Sequence, residues 1–330
     1  MKRIIVVLVA VVIVVAVGLV GFYIGKSSNG VQQKPQEKKT ASSNQETRIK
    51  GNYKLINPLL ECDNFVASDI ASHNRLRGIL KEYVQGAKRK GMASDIAVYY
   101  RDLNNGPWIG IDEQMVFAPA SLLKVPLIMA AFKYSEISPD FLQTKILYSR
   151  VTNEYAANIA DSVIRIGQRY TMLELVERMA VYSDNNAMDL VIEALTKEGF
   201  DAKIWTDLGL PVPNTETPDN FLSVKDYSSF FRILYNSTYL TPANSERVLQ
   251  ILTRTQYKQA MRSGVPPTVV VASKFGERGL PDSPAKQLHE CGIVYDGDTQ
   301  YLLCVMTKGL DWQAQAEVIQ EISKLVYENR

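Results

Sequence analysis

The stretch Phe-Ala-Pro-Ala-Ser-Leu-Leu-Lys-Val-Pro, residues 117–126, decides how the middle of this chain folds. The Pro-Ala pair before the serine ends an extended stretch, and the apolar run Leu122–Phe132 predicts a buried helix. Ser121 then lies at the helix start, with Lys124 one turn along on the same face. A buried lysine beside a serine can act as a base, because desolvation lowers its pKa. Alternatively, Ser121 is only an N-cap and Lys124 extends its amine to the surface.

A second Ser-x-x-Lys stretch, Ser283-Pro-Ala-Lys286, lies among prolines with no helix after it. The Ser-x-x-Lys pattern by itself therefore does not identify a catalytic serine. The order of the motifs along the chain and their structural context must do so. The segment Ser183-Asp-Asn185 lies between two predicted amphipathic helices. Ser183 could place a second hydroxyl beside the first to relay a proton, and Asn185 could orient a substrate amide and Lys124. The alternative is an N-cap for the following helix.

The third segment, Lys-Phe-Gly-Glu at residues 274–277, follows a predicted strand at Thr268–Ser273. Lys274 would supply positive potential toward an anionic group. Gly276 would let a substrate backbone approach the strand edge as an added strand. The backbone N–H of Glu277 could pair with that of Ser121 to hold a developing oxyanion. The alternative is an ordinary Lys-x-Gly turn.

The surrounding pattern predicts an α+β fold, in which a mixed antiparallel sheet is flanked by terminal helices and lies beside an all-helical lobe. The cleft between sheet and lobe is the expected place for a site. The predicted elements are a helix at Ile70–Lys88, a hairpin of Ile96–Arg101 and Trp108–Asp112, a helical middle from Ser121 to Leu252, strands at Thr268–Ser273, Cys291–Tyr295 and Tyr301–Thr307, and a helix at Trp312–Tyr327.

Composition excludes several classes of function. The 37 Lys+Arg and 35 Asp+Glu residues give a net charge of +2, which argues against a nucleic-acid partner. Two histidines, His73 and His289, and three cysteines do not offer the spacing of a zinc site, and we expect no metal or cofactor. Neither histidine has a recognisable catalytic setting, and His289 is interpreted as structural. The chemistry must therefore depend on hydroxyls, lysines and carboxylates.

The N-terminus predicts export. Residues 4–24 are 21 consecutive uncharged residues, about 31 Å long as a helix, preceded by Lys2 and Arg3. We interpret residues 1–25 as an uncleaved transmembrane signal-anchor, with a cleaved signal peptide as the alternative. Residues 26–50 are a disordered polar linker, and residues 51–330 form the folded domain. The expected location is the cell membrane, single-pass, with the domain extracytoplasmic.

The three segments together resemble the penicillin-recognising serine enzymes, the class A β-lactamases and penicillin-binding D,D-peptidases. The order Ser-x-x-Lys, Ser-Asp-Asn, Lys-x-Gly is similar, as are the strand pair from Cys291 to Gly309 and the helix that begins with Leu-Ser-Val-Lys-Asp-Tyr at residues 222–227. The resemblance covers about Ile70 to Tyr327.

The resemblance implies a role for each motif residue. Ser121 would be the nucleophile, Lys124 its base, and Ser183 the donor of a proton to the leaving nitrogen. Asn185 would bind a substrate amide, and Lys274 would attract a terminal carboxylate. The implied substrate is a β-lactam or a peptidoglycan stem peptide, and the product is an acyl-enzyme.

Two positions depart from the family pattern. Phe275 replaces the usual Thr or Ser, so the hydroxyl that binds the substrate carboxylate is missing, and Arg278 is the residue that could replace it. Glu216 and Asn220 have the spacing of the deacylating omega-loop pair, but the loop is short and lacks its usual arginine. If Glu216 does not act, hydrolysis of a β-lactam should be slow.

Cys291 and Cys304 lie directly opposite each other if Tyr295 pairs with Gln300 across the last hairpin. Export would allow a disulfide, but bridges of this kind are usually strained, so the sequence predicts two buried thiols.

Three functional hypotheses follow. The first is a serine acyl-enzyme former, either a lactamase or a peptidase. The second is a catalytically degenerate module that binds penicillin or cell-wall peptide, and the third is a purely structural exported domain. Labelling of Ser121 by penicillin separates them, since the third predicts no labelling.

Overall fold

The computed structural model describes residues 47–48, 53–61, 71–104, 106–153, 164–280 and 283–330. Residues 1–25 and 26–50, predicted as anchor and linker, lie almost entirely outside this part of the chain. One compact unit extends from Glu46 to Arg330. Within the described ranges, no helix combines the length and apolar character needed to cross a bilayer.

Strands at both ends of the domain and helices between them follow the sequence prediction, but the middle predicted as helical also contains short strands. The described helices are α1 Ala71–Arg89, α2 Lys124–Ser135, α3 Met172–Val181, α4 Asn185–Lys197, α5 Lys203–Asp207, α6 Val224–Asn236, α7 Pro242–Leu252 and α8 Trp312–Asn329. The described strands are β1 Thr47–Arg48, β2 Leu59–Glu61, β3 Asp95–Asp102, β4 Trp108–Ile111, β5 Val116–Phe117, β6 Lys145–Leu147, β7 Arg169–Thr171, β8 Leu222–Ser223, β9 Val270–Leu280, β10 Ser283–Asp296 and β11 Thr299–Gly309.

The main sheet has five antiparallel strands in the order β4-β3-β11-β10-β9. Its central strand β11 is apolar on both faces, because the helical lobe covers one face and α1 and α8 cover the other. Leu302, Cys304 and Met306 belong to the core of the helical lobe, whereas the alternate residues 301, 303 and 305 pack with α1 and α8. Side chains alternate across a strand, so one apolar run serves two cores. The α+β prediction is confirmed, with every pairing in this sheet antiparallel.

Helix α2 occupies the centre of the lobe. Every residue from Lys124 to Phe132 is buried, so the helix is enclosed on all sides rather than amphipathic. Pro126 lies at its third position, where the missing N–H costs no intrahelical hydrogen bond. An element buried all round cannot shift easily, and α2 therefore fixes the position of the residues at its N-terminus.

The last three strands are longer than predicted. Strand β9 continues to Leu280, so residues 274–277 lie inside the strand and do not follow its end. Strand β10 begins at Ser283 and contains both His289 and the second Ser-x-x-Lys stretch. The sequence analysis missed these extensions because it located strands by their apolar residues. The added ends of the strands contain many polar residues. The prediction that the third segment follows the strand is wrong.

Cys291 and Cys304 are directly opposite in β10 and β11, and Tyr295 pairs with Gln300, as predicted. The structure joins the two cysteines as a disulfide, so the prediction of two thiols is wrong. The two Cα atoms are 4.0 Å apart, and both side chains leave the same face of the sheet.

A buried carboxylate holds the segment at residues 54–56 against the domain. Glu246 of α7 accepts hydrogen bonds from the backbone N–H groups of Leu55 at 2.9 Å and Ile56 at 3.1 Å through Oε2, and from that of Lys54 at 3.2 Å through Oε1. The Leu55 and Ile56 side chains are buried. The segment thus packs as part of the domain.

We expect Glu246→Ala to lower the free energy of unfolding by about 2–4 kcal/mol, because two buried N–H groups lose their acceptor. Chemical denaturation followed by circular dichroism measures this change. Glu246→Gln keeps one oxygen acceptor and should lose less. Equal losses in the two variants would contradict the role of the carboxylate.

Candidate active site

Ser121 and Lys124 meet at the start of α2. A 3₁₀ turn, Ala120–Leu123, precedes the helix, and Lys124 Nζ donates a hydrogen bond to Ser121 Oγ at 2.7 Å. Ser121 is partly exposed, whereas Lys124 is 1% exposed. The lysine therefore does not reach the surface, and Ser121 makes no capping hydrogen bond. Both alternatives considered from the sequence fail for this pair.

Three side chains from distant parts of the chain hold this turn. The buried Tyr227 hydroxyl donates to Leu122 O at 2.8 Å. Gln287 Oε1 accepts from Ala118 N at 3.0 Å, and His289 Nε2 lies 3.0 Å from Ala118 O. Sequence reasoning missed Tyr227 and Gln287, because their partners are more than 100 residues away.

His289 is structural, as the sequence analysis proposed. Its Nδ1 accepts a hydrogen bond from Thr307 N, so Nε2 carries the proton and donates it to Ala118 O. Complete burial lowers the pKa of His289 to about 4, and the ring is neutral at physiological pH.

Gly276 allows β9 to approach the turn that carries Ser121. A Cβ atom at this position would lie 2.7 Å from Pro119 O and 3.1 Å from Leu122 N. No side chain fits at these distances. Gly276 therefore serves the contact between strand and turn, whereas the sequence analysis had assigned it to substrate approach. The same contact brings the neighbouring Glu277 to the edge of the site.

The second segment connects the first to the third. Asp184 caps α4 by accepting from Ala187 N, which leaves Asn185 as the first helical residue rather than the cap. Asn185 Oδ1 accepts a hydrogen bond from Lys124 Nζ at 2.7 Å. On the same segment, Ser183 Oγ accepts from Lys274 Nζ at 3.1 Å. The structure thus brings together the motif residues from all three segments.

Two residues of this site have a left-handed backbone that non-glycine residues seldom adopt. Ala120, just before the serine, has φ +50°, and Ser183 has φ +60°. Such conformations cost free energy and persist where the surrounding structure enforces them. At Ser183 the backbone turns between α3 and α4, and the hydroxyl meets Lys274 there.

Burial changes the acidity of both lysines. Desolvation lowers the pKa of Lys124 to about 7, and the negative charges of Asp184 and Asp189 oppose this shift. Burial and the nearby charge of Lys124 lower the pKa of Lys274 well below its ordinary value, against the opposing effect of Glu290 and Glu277. An amine with a pKa near 7 can accept a proton from a neighbouring hydroxyl at neutral pH. The arrangement can therefore activate Ser121 as a nucleophile.

Comparison with known proteins identifies the family. The model of the β-lactamase enzyme family matches residues 76–329, which is most of the chain. The chain belongs to this family. The search of curated proteins finds no significant match.

Solved structures of low sequence identity share the fold. A β-lactamase from Chitinophaga pinensis is 20% identical, with a TM-score of 0.68 over 77% of this chain and 99% of that one. A β-lactamase from Xanthomonas campestris is 16% identical, with a TM-score of 0.67 over 77% and 98%. A mutant of PBP-A, described as an acyl-enzyme complex with penicillin G, is 22% identical, with a TM-score of 0.65 over 76% and 95%.

Phe275 is the main departure of this family member from the motif. Its ring is buried and stacks on Tyr257, with centroids 4.1 Å apart, and Lys274 Nζ lies 4.1 Å from the centroid of the Phe275 ring. Arg278, considered as a replacement for the missing hydroxyl, forms a 2.7 Å ion pair with Asp219. Its charge is therefore already compensated by a carboxylate.

Glu216 is not among the groups whose charge shifts the pKa of Lys124. Its side chain is exposed in a turn held by Asn214, and its spacing partner Asn220 accepts from Gln287 at 3.0 Å. Within the described residues, the carboxylates that raise the pKa of Lys124 are those of Asp184 and Asp189. In the same part of the chain, no cluster of three His, Cys, Asp or Glu side chains is arranged to hold a metal ion.

We expect Lys124 to titrate near pH 7, below the 10.5 of an ordinary lysine, and to be mostly neutral above that pH. NMR titration of protein labelled with ¹³C at lysine Cε measures this, and Lys124→Met assigns the resonance. Lys286→Met, which removes the lysine of the second Ser-x-x-Lys stretch, should leave that resonance in place. A midpoint above about pH 9 would contradict desolvation as the controlling effect.

Proposed function

We propose that this protein is a serine hydrolase that forms an acyl-enzyme on Ser121 with β-lactams or with peptides of the D-Ala-D-Ala type. The observation that carries the proposal is the buried Lys124 amine, which lies 2.7 Å from both Ser121 Oγ and Asn185 Oδ1. Membership of the β-lactamase enzyme family supports it, as does the described penicillin G complex of a PBP-A mutant.

The proposed acylation runs through the three motifs. Neutral Lys124 takes the proton from Ser121 Oγ, which bonds to the substrate carbonyl carbon. The backbone N–H groups of Ser121 and Glu277 hold the oxyanion that forms. The carbon–nitrogen bond then breaks as Ser183 gives its proton to the leaving nitrogen, and the proton held by Lys124 replaces it. The products are a Ser121 ester and a free amine, and water later cleaves the ester.

The surroundings of Lys124 favour a long-lived acyl-enzyme. Rapid deacylation requires a base that activates water beside the ester. Glu216 is exposed, and it is not among the carboxylates whose charge shifts the pKa of Lys124 in the part of the chain described. We therefore propose that acylation is faster than hydrolysis, as expected of a peptidase that penicillin inhibits.

Exposure to penicillin G should add one penicillin to the protein, as measured by intact-mass spectrometry, and the adduct should persist after the free drug is removed. Ser121→Ala should abolish the adduct, and Lys124→Met should slow its formation about 100-fold or more. The matched control is Ser283→Ala, in the second Ser-x-x-Lys stretch, which should label like the wild type. Absence of any adduct on folded wild-type protein would refute acylation and leave a binding or structural role.

We also propose that residues 1–25 anchor the protein in the cell membrane, with the domain extracytoplasmic. The basis is the uncharged run of 21 residues at 4–24 behind Lys2 and Arg3. The full chain should remain in the membrane pellet after alkaline carbonate extraction and should be accessible to protease added outside the cell. Ile13→Lys combined with Ala16→Lys should release it, because each lysine costs about 3 kcal/mol at the membrane centre. A shortened chain in the medium would indicate a cleaved signal instead.

A further inference from the structure

The rim of the site along β9 offers little to a substrate carboxylate. Lys274 is fully buried, and its amine donates to Ser183 Oγ at 3.1 Å and to Phe275 O at 2.9 Å. The same amine lies 4.1 Å from the centroid of the Phe275 ring. Its amine is therefore directed at a hydroxyl, a carbonyl and an aromatic face inside the protein.

Phe275 supplies no hydroxyl at this position of the strand, and its ring belongs to the core that the sheet shares with α1 and α8. The ring is 1% exposed and nearly parallel to Tyr257, with an interplanar angle of 16°. An apolar ring can accept no hydrogen bond from water or substrate in its plane and can donate none to a carboxylate.

The charges next along the strand are unfavourable to an anion. Glu277 is partly buried and close enough to Lys274 for its negative charge to raise the pKa of that lysine. Arg278, the next cation, is paired with Asp219 at 2.7 Å. A carboxylate placed here would lose hydration and meet Glu277 without gaining a hydroxyl donor.

We propose that this rim favours acyl donors whose leaving group carries no free carboxylate, such as a carboxamide, an ester or a peptide that continues beyond the cleaved bond, over the matching donors that carry one. The inference rests on the proposed acylation of Ser121 and specifies its substrate class. A neutral group needs no counter-charge, so the ring of Phe275 and the charge of Glu277 do not exclude it.

Two matched pairs of acyl donors test the inference. One is penicillin G and its methyl ester, and the other is an acetylated Lys-D-Ala-D-Ala peptide and its C-terminal amide. We expect the neutral member of each pair to acylate wild-type Ser121 about tenfold faster or more, measured by quenched-flow intact-mass spectrometry. The reason is that a carboxylate that loses water without gaining a hydrogen-bond donor costs about one to two powers of ten.

Variants of Phe275 separate the missing hydroxyl from the bulk of the ring. Phe275→Thr should shift the acid-to-neutral preference toward the acid about tenfold or more. Phe275→Leu removes the ring without adding a hydroxyl and should shift it much less. Glu277→Gln, at a partly exposed position, should move the preference toward the acid without altering the core, so it keeps the test valid if a Phe275 variant does not fold.

The outcomes distinguish this inference from the function on which it rests. Acylation by neither member of either pair would refute the proposed function. Acylation with the acid preferred in the wild type would overturn the inference and leave the function intact. Equal shifts in Phe275→Thr and Phe275→Leu would also overturn it, because the hydroxyl would then have no special effect.

Discussion

The site depends on keeping two lysine amines out of water. Lys124 and Lys274 are both buried, and each is held by short-range acceptors from another segment of the chain. A charged ammonium in such a place is costly, and the protein lowers the cost by making the neutral form accessible, with the pKa of Lys124 at about 7. The feature that destabilises the folded state thereby produces a base beside a serine. Activity and stability are opposed at these positions.

The rest of the fold holds these amines in place. Helix α2 is buried all round and starts at Lys124, so the base cannot move without disturbing the lobe. Gly276 lets β9 touch the serine turn, and Tyr227 and His289 fix that turn from α6 and β10. The sheet and the lobe pack against each other along a broad face, and Ser121 lies at the end of that face where β9 meets the turn. Precise positioning of this kind requires rigid elements on both sides.

Phe275 is the residue at which this chain departs from the usual third motif of the family. Its ring lies against both Tyr257 and the Lys274 amine, and it supplies no hydroxyl at this position of the third motif. One substitution thus affects both the electrostatics of the third motif and the chemistry of the rim. The position of Arg278 reinforces this, since its pairing with Asp219 ties β9 to the loop before α6 and leaves its charge compensated.

The sequence by itself determined the order of the motifs, the main helices at the two ends of the domain and the last hairpin. Apolar periodicity located α1, α2 and α8 to within a few residues, and turn residues fixed the last hairpin and the register of Cys291 with Cys304. These features depend on residues that are near each other in the sequence, so a local sequence pattern predicts them. The same reading ended β9 at Ser273, because Lys274 and the residues after it are polar, and it predicted thiols where the structure has a disulfide.

Only the tertiary structure decided what the motif residues do to one another. Ser121 and Lys124 are near in sequence, but Asn185 lies 61 residues from Lys124, and Ser183 lies 91 residues from Lys274. The assignments of Gly276 to a strand–turn contact, of Asp184 as the cap and of Tyr227 as a support all depend on such distant partners. A pKa near 7 at Lys124 arises from burial, which is a property of the packed molecule and not of any stretch of its sequence.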